Sequence, residues 1–177
     1  MRAIICGASI EGLTTAWWLG RAGWDVLVIE RGSALNSKDY MIEVLPSQWD
    51  VPDRMGLLSR MKSLHCRISR IVWMNIKQKE MAELKYVRLE TLFGPDPMIV
   101  TRGDISRSLL DSLYAEIEVR YSCSVTDIRC EEDCVRADLA NGHTEVADIL
   151  IGADGVSRAA ILPLSRLSHR RFCRLGL

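Results

Sequence analysis

Three stretches of the chain are apolar at every position: Ala3-Ile4-Ile5-Cys6, Val26-Leu27-Val28-Ile29 and Ile149-Leu150-Ile151. Short continuous apolar runs of this kind predict strands buried on both faces. The first is stopped by Gly7 and the second by Glu30-Arg31-Gly32. Between them Ile10, Leu13, Ala16, Trp17 and Leu19 recur at helical spacing, and Gly23 stands where a helix C-cap glycine belongs. Strand, helix and strand in that order predict a βαβ unit and a parallel sheet.

The period changes along the rest of the chain. Residues 33–65 read as loop followed by a helix over 51–61, with Pro46 and Pro52 as breakers. From 66 to 100 the pattern alternates, with Ile68, Ile71, Trp73, Ile76, Leu84, Tyr86, Val87 and Leu89 as strand positions and a turn at Gly94-Pro95-Asp96-Pro97. Asp104 is placed to cap a helix from 105 to about 115, with Ile105, Leu109, Leu110 and Leu113 on one face. Strands are predicted over 118–121, 124–130 and 134–139. Asn141-Gly142 then predicts a hairpin returning over 145–147. The last apolar run ends in Gly152-Ala153-Asp154-Gly155.

Composition narrows the function classes. At 177 residues the chain is long enough to bury a core without disulfides or a metal. Lys plus Arg and Asp plus Glu are 23 each, so no global field would recruit nucleic acid or an anionic membrane. No apolar run reaches the roughly 18 residues that span a bilayer. The first residues lack the form of a signal peptide, so the six cysteines are expected reduced, in a cytoplasmic setting. Cys130 and Cys134 have no second pair or neighbouring His to complete a zinc set, and the expectation is no metal. His65, His143 and His169 are scattered and suggest no triad. Residues 159–177 form a basic C-terminal tail, read as a solvated end.

The candidate chemistry sits between the first strand and its helix. Gly7-Ala8-Ser9-Ile10-Glu11-Gly12 occupies the place of the dinucleotide fingerprint G-x-G-x-x-G. Gly7 would allow the tight turn, Gly12 would let helix and strand approach, and the helix start would face an anion. Ser9 replaces the middle glycine and adds a Cβ where a pyrophosphate would come close. Glu30 closes the second strand, where an acid accepts hydrogen bonds from an adenosine ribose. A carboxylate there repels a 2′-phosphate, so FAD or NAD fits and NADP does not. A serine-hydrolase elbow, G-x-S-x-G, is a poor match, because Glu11 stands where its second glycine belongs.

Four segments together resemble the class A flavoprotein monooxygenases, the para-hydroxybenzoate hydroxylase-like aromatic hydroxylases. They are Cys6–Gly12 with Val28-Ile29-Glu30-Arg31; Tyr40-Met41-Ile42-Glu43 with Trp49-Asp50-Val51 and Arg54-Met55-Gly56-Leu57-Leu58; Ile99-Val100-Thr101-Arg102-Gly103-Asp104-Ile105 with Leu109 and Leu113; and 148–155 with Asp154-Gly155. The resemblance runs to about residue 158. It implies an α/β fold with a Rossmann-like FAD-binding parallel sheet, a β-hairpin or meander, and a partial antiparallel substrate-side sheet. The implied organisation is a discontinuous FAD-binding domain, 1–65 and 99–158, interrupted by partial substrate-domain strands at 66–98.

Residue by residue, the resemblance implies that Gly7, Ser9 and Gly12 border the FAD pyrophosphate. It implies that Glu30, followed by Arg31, meets the adenosine ribose. Arg102 would reach FAD near its ribose and pyrophosphate, and Asp154 with Gly155 would meet the ribityl-diphosphate region. No catalytic acid or base is nominated. In the family, NADPH is a transient reductant of the flavin and O2 supplies one oxygen atom to a small aromatic or related substrate.

There are departures from the family pattern. Asn36-Ser37-Lys38 stands where an arginine is usual, the segment after Asp154-Gly155 is one residue short, and Ala160 replaces a later arginine. The family's third FAD motif lies beyond residue 177. The expectation is therefore the first part of a longer enzyme, truncated and inactive alone. A homodimer is the assembly to look for should the chain prove active by itself. The rival readings are a non-catalytic nucleotide- or flavin-binding remnant and an NAD-dependent dehydrogenase.

Overall fold

A computed structural model describes residues 1–35, 40–86 and 97–155, together with the backbone of 172–174. The chain forms two compact units, Met1–Ser37 with Leu109–Leu177, and Lys38–Ser108.

The first unit is built on a parallel sheet. Strand β1 (Arg2–Cys6) leads into helix α1 (Ile10–Arg21) and strand β2 (Asp25–Ile29), as the apolar runs predict. Strands β7 (Glu118–Arg120), β11 (Ile149–Gly152) and β12 (Phe172–Arg174) complete the order β12-β11-β1-β2-β7, all neighbours parallel. Ala3, Ile4, Ile5, Leu27, Val28 and Leu150 are almost wholly shielded from solvent, which explains why their runs carry no polar position.

The pleat then sorts these residues between two covers. Ile4, Cys6, Leu27, Ile29 and Leu150 pack with an antiparallel meander of β8 (Val125–Cys130), β9 (Val135–Leu139) and β10 (Thr144–Ala147). The alternate residues Ala3, Ile5, Val26 and Val28 point to the other face, and α1 packs on β1 and β2 with Leu13, Ala16 and Trp17 buried. The meander turns where Asn141-Gly142 predicts it, with Gly142 at φ 85.

The second unit contains two small antiparallel sheets. Strand β3 (Met41–Val44) pairs with β6 (Met98–Thr101), and β4 (Arg70–Met74) pairs with β5 (Glu80–Lys85). A short 3-10 turn (Pro46–Gln48) and helices α2 (Asp50–Arg54) and α3 (Leu58–Ser63) connect β3 to β4. Helix α4 (Arg102–Asp111) follows β6 directly.

Four differences from the sequence expectations have physical causes. The helix read over 51–61 is two helices, because Gly56 adopts φ 72 and ends the first. Strand β3 lies in a stretch read as loop; it gains its partner from β6, about 57 residues away, which local pattern does not show. Ile76, read as a strand position, stands in the turn between β4 and β5 and is almost fully exposed, because the chain reverses there to pair the two strands. The stretch 172–174, assigned to the basic tail, adds a strand beside β11, with Leu150 opposite Phe172 and Gly152 opposite Arg174. Strand positions Val87 and Leu89, most of the 94–97 turn, Asn36-Ser37-Lys38 and residues 156–171 lie outside the described residues.

Candidate cofactor-binding site

The carboxyl ends of β1, β2 and β11 meet at one edge of the parallel sheet. Cys6 pairs with Ile29 on one side and with Gly152 on the other. Gly7 leaves β1 at φ 114, a region that side chains rarely adopt, and its N–H donates to the Ile29 carbonyl at 2.7 Å. A Cβ on Gly7 would stand 2.5 Å from the Ala153 carbonyl oxygen. A Cβ on Gly12 would stand 2.0 Å from the Gly7 carbonyl oxygen. Both glycines are therefore required by the close packing of strand, turn and helix, as the fingerprint spacing predicts.

Ser9 is the N-cap of α1. Its Oγ accepts from the Gly12 N–H at 3.1 Å and donates to the Ala153 carbonyl at 2.9 Å. At φ −77 and ψ 174 its backbone has no need of glycine. The hydroxyl is folded back onto the residue that follows β11. Gly12 N–H is taken by Ser9 Oγ and Leu13 N–H by Ser9 O, at 2.9 Å. The N–H groups of Ile10 and Glu11 are those the helix does not use itself, and they make its start attractive to an anion.

Glu30 follows β2 and is partly buried. One carboxylate oxygen accepts from Ala8 N–H at 2.8 Å and the other from Gly32 N–H at 2.7 Å. It thus ties the turn after β1 to the loop after β2. Each oxygen accepts more than one hydrogen bond, so capacity remains for a hydroxyl group. Arg31 is exposed beside it. Asp154 and Gly155 follow β11, with Gly155 at φ 64. Burial, and secondarily the Asp154 carboxylate, push the Cys6 thiol up to about 12. Cys6 stays a neutral packing group.

Arg102 belongs to the second unit. Its N–H donates to the Tyr40 carbonyl at 2.9 Å and its guanidinium lies 5.9 Å from the centre of the Tyr40 ring. The helix it opens is capped by Thr101, not by Asp104. Thr101 Oγ1 accepts from Asp104 N–H at 3.1 Å and donates to the Asp104 carboxylate at 2.8 Å. Thr-x-x-Asp before an apolar run carries that capping signal in the sequence. The structure thus gathers Gly7, Ser9, Gly12, Glu30 and Asp154-Gly155 at one sheet edge. Sequence reasoning missed the Ala153 carbonyl and the Ala8 N–H, because backbone groups leave no side-chain signature.

Cys130 and Cys134 do not form a unit. Cys130 pairs with Val135 and packs against the meander core. Glu131 N–H donates to Cys134 O at 2.9 Å, so 131 and 134 are the next pair and face the other side of the hairpin.

A glycine turn between strand and helix, an anion-facing helix start and an acid closing the next strand define a dinucleotide-binding α/β domain. The family model described as "FAD binding domain" matches residues 1–167, and the chain belongs to that family. It is 30% identical over 166 residues to the FAD-dependent urate hydroxylase of Klebsiella pneumoniae, covering 92% of this chain and 42% of that one. It is 27% identical over 157 residues to 3-hydroxybenzoate 6-hydroxylase 1 of Aquipseudomonas alcaligenes, covering 86% and 40%. The crystal structure of Klebsiella pneumoniae HpxO complexed with FAD and uric acid superposes with a TM-score of 0.66 at 26% identity, over 88% of this chain and 39% of that one. Tetracycline destructase Tet(51), at 21% identity and a TM-score of 0.75 over 91% and 41%, shares the fold. The chain spans about two fifths of the length of the curated relatives it matches. FAD is its cofactor, and this is an FAD-binding domain of the kind that flavin-dependent monooxygenases carry.

Proposed function

We propose that the chain supplies the adenosine and pyrophosphate end of the FAD site in a monooxygenase that uses NADPH and O2 to hydroxylate a small aromatic or related molecule. The observation that carries this reading is the Glu30 carboxylate, fastened to Ala8 N–H beside the Gly7–Gly12 turn. That arrangement presents an acceptor for ribose hydroxyls next to a helix start suited to phosphate.

In this reading Gly7, Gly12 and the backbone at Ser9 border the pyrophosphate. Glu30 accepts from the adenosine ribose, with Arg31 at the rim. Asp154 and Gly155 meet the ribityl-diphosphate portion, and Arg102 offers a permanently charged planar fork to ribose and pyrophosphate. Once bound and reduced, FAD supplies the oxygen-activating chemistry, while the protein's part is binding and orientation. Relatives named for hydroxybenzoate and urate hydroxylation support a small planar substrate. Buried free thiols at Cys6 and Cys123 support a reducing, cytoplasmic setting.

The test has two stages. The purified chain titrated with FAD should show saturable quenching of flavin fluorescence and a perturbed visible flavin spectrum. Supplied with FAD, NADPH and a panel of phenols, the 177-residue chain should oxidise NADPH and release peroxide with no hydroxylated product. The motifs it carries address the adenosine, pyrophosphate and ribityl portions of FAD, and oxygen transfer needs a reduced flavin ring shielded from water. Absence of FAD binding would overturn the cofactor assignment, and coupled product would overturn the division of labour.

A further inference from the structure

The first turn of α1 carries charge of both signs. Ser9 Oγ takes Gly12 N–H and Ser9 O takes Leu13 N–H, so Ile10 and Glu11 keep the N–H groups open to a ligand. Those groups and the aligned peptides behind them amount to about half a positive charge at the helix start. Glu11 puts a full negative charge in the same turn.

Glu11 is exposed, whereas Gly12, Leu13, Ala16 and Trp17 are buried. Helical spacing places it nearly opposite Leu13, Ala16 and Trp17, on the side away from the sheet. Its carbonyl accepts from the Thr15 hydroxyl at 2.7 Å, which ties this turn into the helix. The carboxylate is thus a solvated charge within one side chain's length of its own open N–H. Glu30, with an oxygen on Ala8 N–H at 2.8 Å, adds a second carboxylate at the turn.

Short and long range then act in opposite senses. A phosphate oxygen on the Ile10 and Glu11 N–H groups gains directional hydrogen bonds whatever the rest of the ligand carries. Repulsion from Glu11 grows with every charge on the ligand. Across water at roughly 8 Å, each added charge costs about two-fold in affinity before salt screens it. FAD presents a pyrophosphate diester. ADP and ATP share its adenosine end but finish in a phosphate monoester and are more negative.

We propose that Glu11 is a specificity-determining residue of this site, its carboxylate favouring FAD over ADP and ATP. The proposal rests on the reading that the pyrophosphate lies at the Gly7–Gly12 turn. Wild type, Glu11→Gln, Glu11→Lys and Glu11→Asp are titrated with FAD by flavin fluorescence, and with ADP and ATP by displacement of bound FAD. Glu11→Gln should bind FAD about four-fold and ATP about ten-fold more tightly at low salt. Its Tm should meanwhile fall by roughly 1–3 °C, because the helix loses a favourable first-turn charge. A merely structural Glu11 cannot produce tighter binding together with lower stability.

Glu11→Lys should extend both gains in the same order, and Glu11→Asp, which keeps the charge, should stay within about two-fold of wild type. In about 0.5 M salt the gains should shrink below about two-fold. Equal gains for FAD and ATP, gains that persist at high salt, or weaker FAD binding by Glu11→Gln would each overturn the proposal. Gly12→Ala in the same assay separates it from the reading beneath it. If Gly12→Ala weakens FAD binding and Glu11→Gln changes nothing, only the role of Glu11 falls. If neither variant alters FAD affinity, the pyrophosphate lies elsewhere and the proposal falls with that reading.

Discussion

Ser9 and Ala153 are joined by a hydrogen bond across 144 positions of chain, the Ser9 hydroxyl donating to the Ala153 carbonyl at 2.9 Å. The same oxygen caps α1 through Gly12 N–H. One side chain therefore ties the helix start to the end of β11. Ser9→Ala should lower stability by about 1–2 kcal/mol, the loss of a cap and of a carbonyl's partner, read as a lower Tm. Ser9→Gly should not tighten FAD binding, because the hydroxyl is folded away from the turn's mouth. A several-fold gain in affinity on removing the Cβ would show that Ser9 does press on the cofactor.

Gly12→Ala tests the close approach directly. The added Cβ would meet the Gly7 carbonyl oxygen at 2.0 Å, which is backbone and cannot swing aside. Either α1 lifts from the turn or the turn opens, and both move the N–H groups proposed to border the pyrophosphate. A loss of about 1–3 kcal/mol in stability is expected. FAD affinity should fall well beyond that of Ser9→Gly, as measured by flavin fluorescence. Unchanged binding in a folded Gly12→Ala protein would place the pyrophosphate elsewhere.

The role proposed for Glu30 carries a nucleotide preference. A carboxylate at the adenosine ribose would meet a 2′-phosphate with a second negative charge, so titrations should rank FAD and NAD above NADP. Glu30→Gln should narrow that gap by removing the charge while leaving an acceptor for one of the two N–H groups. If wild-type protein binds NADP more tightly than both others, Glu30 does not face the ribose.

The elements that hold this site were legible because, past the charged residues Arg2 and Asp25 that open β1 and β2, the strands β1, β2 and β11 are buried on both faces and so read as continuous apolar runs. Gly7, Gly12 and Glu30 were legible because their spacing follows from the geometry of a βαβ turn. What escaped was non-local. Strand β3 alternates exposed and half-buried residues and exists through its pairing with β6. Thr101 was passed over for Asp104 because both residue types can cap, and only the geometry shows Thr101 accepting from Asp104 N–H while the Asp104 carboxylate holds the Thr101 hydroxyl. A cleft in the second unit draws Trp49, Lys62, Tyr86 and Met98 from separate parts of the chain, and no spacing rule connects them.

The Glu145 carboxylate gives the first unit a predictable response to acid. Arg120 Nη1 lies 2.8 Å from one oxygen and Arg2 Nη2 lies 2.9 Å from the other, with the Glu145 side chain 15% exposed. Glu145 thereby links β10 of the meander to β1 and β7 of the sheet. The hydrogen bond from Arg120, helped by the charge of Arg2, holds its carboxyl below the usual glutamate range. A carboxyl whose folded value is depressed binds its proton more readily in the unfolded chain, so unfolding takes up protons as pH falls. Its contribution is present above the ordinary glutamate value of about 4.3 and is lost as pH drops through the lower folded value. Glu145→Gln should cost about 1–2 kcal/mol at pH 7, between the range for exposed pairs and that for buried ones. The difference between wild type and variant in urea midpoint should shrink progressively from pH 5 to pH 3. A difference that stays constant over that interval would show that the pair's charge contributes nothing and that Glu145 acts through packing alone.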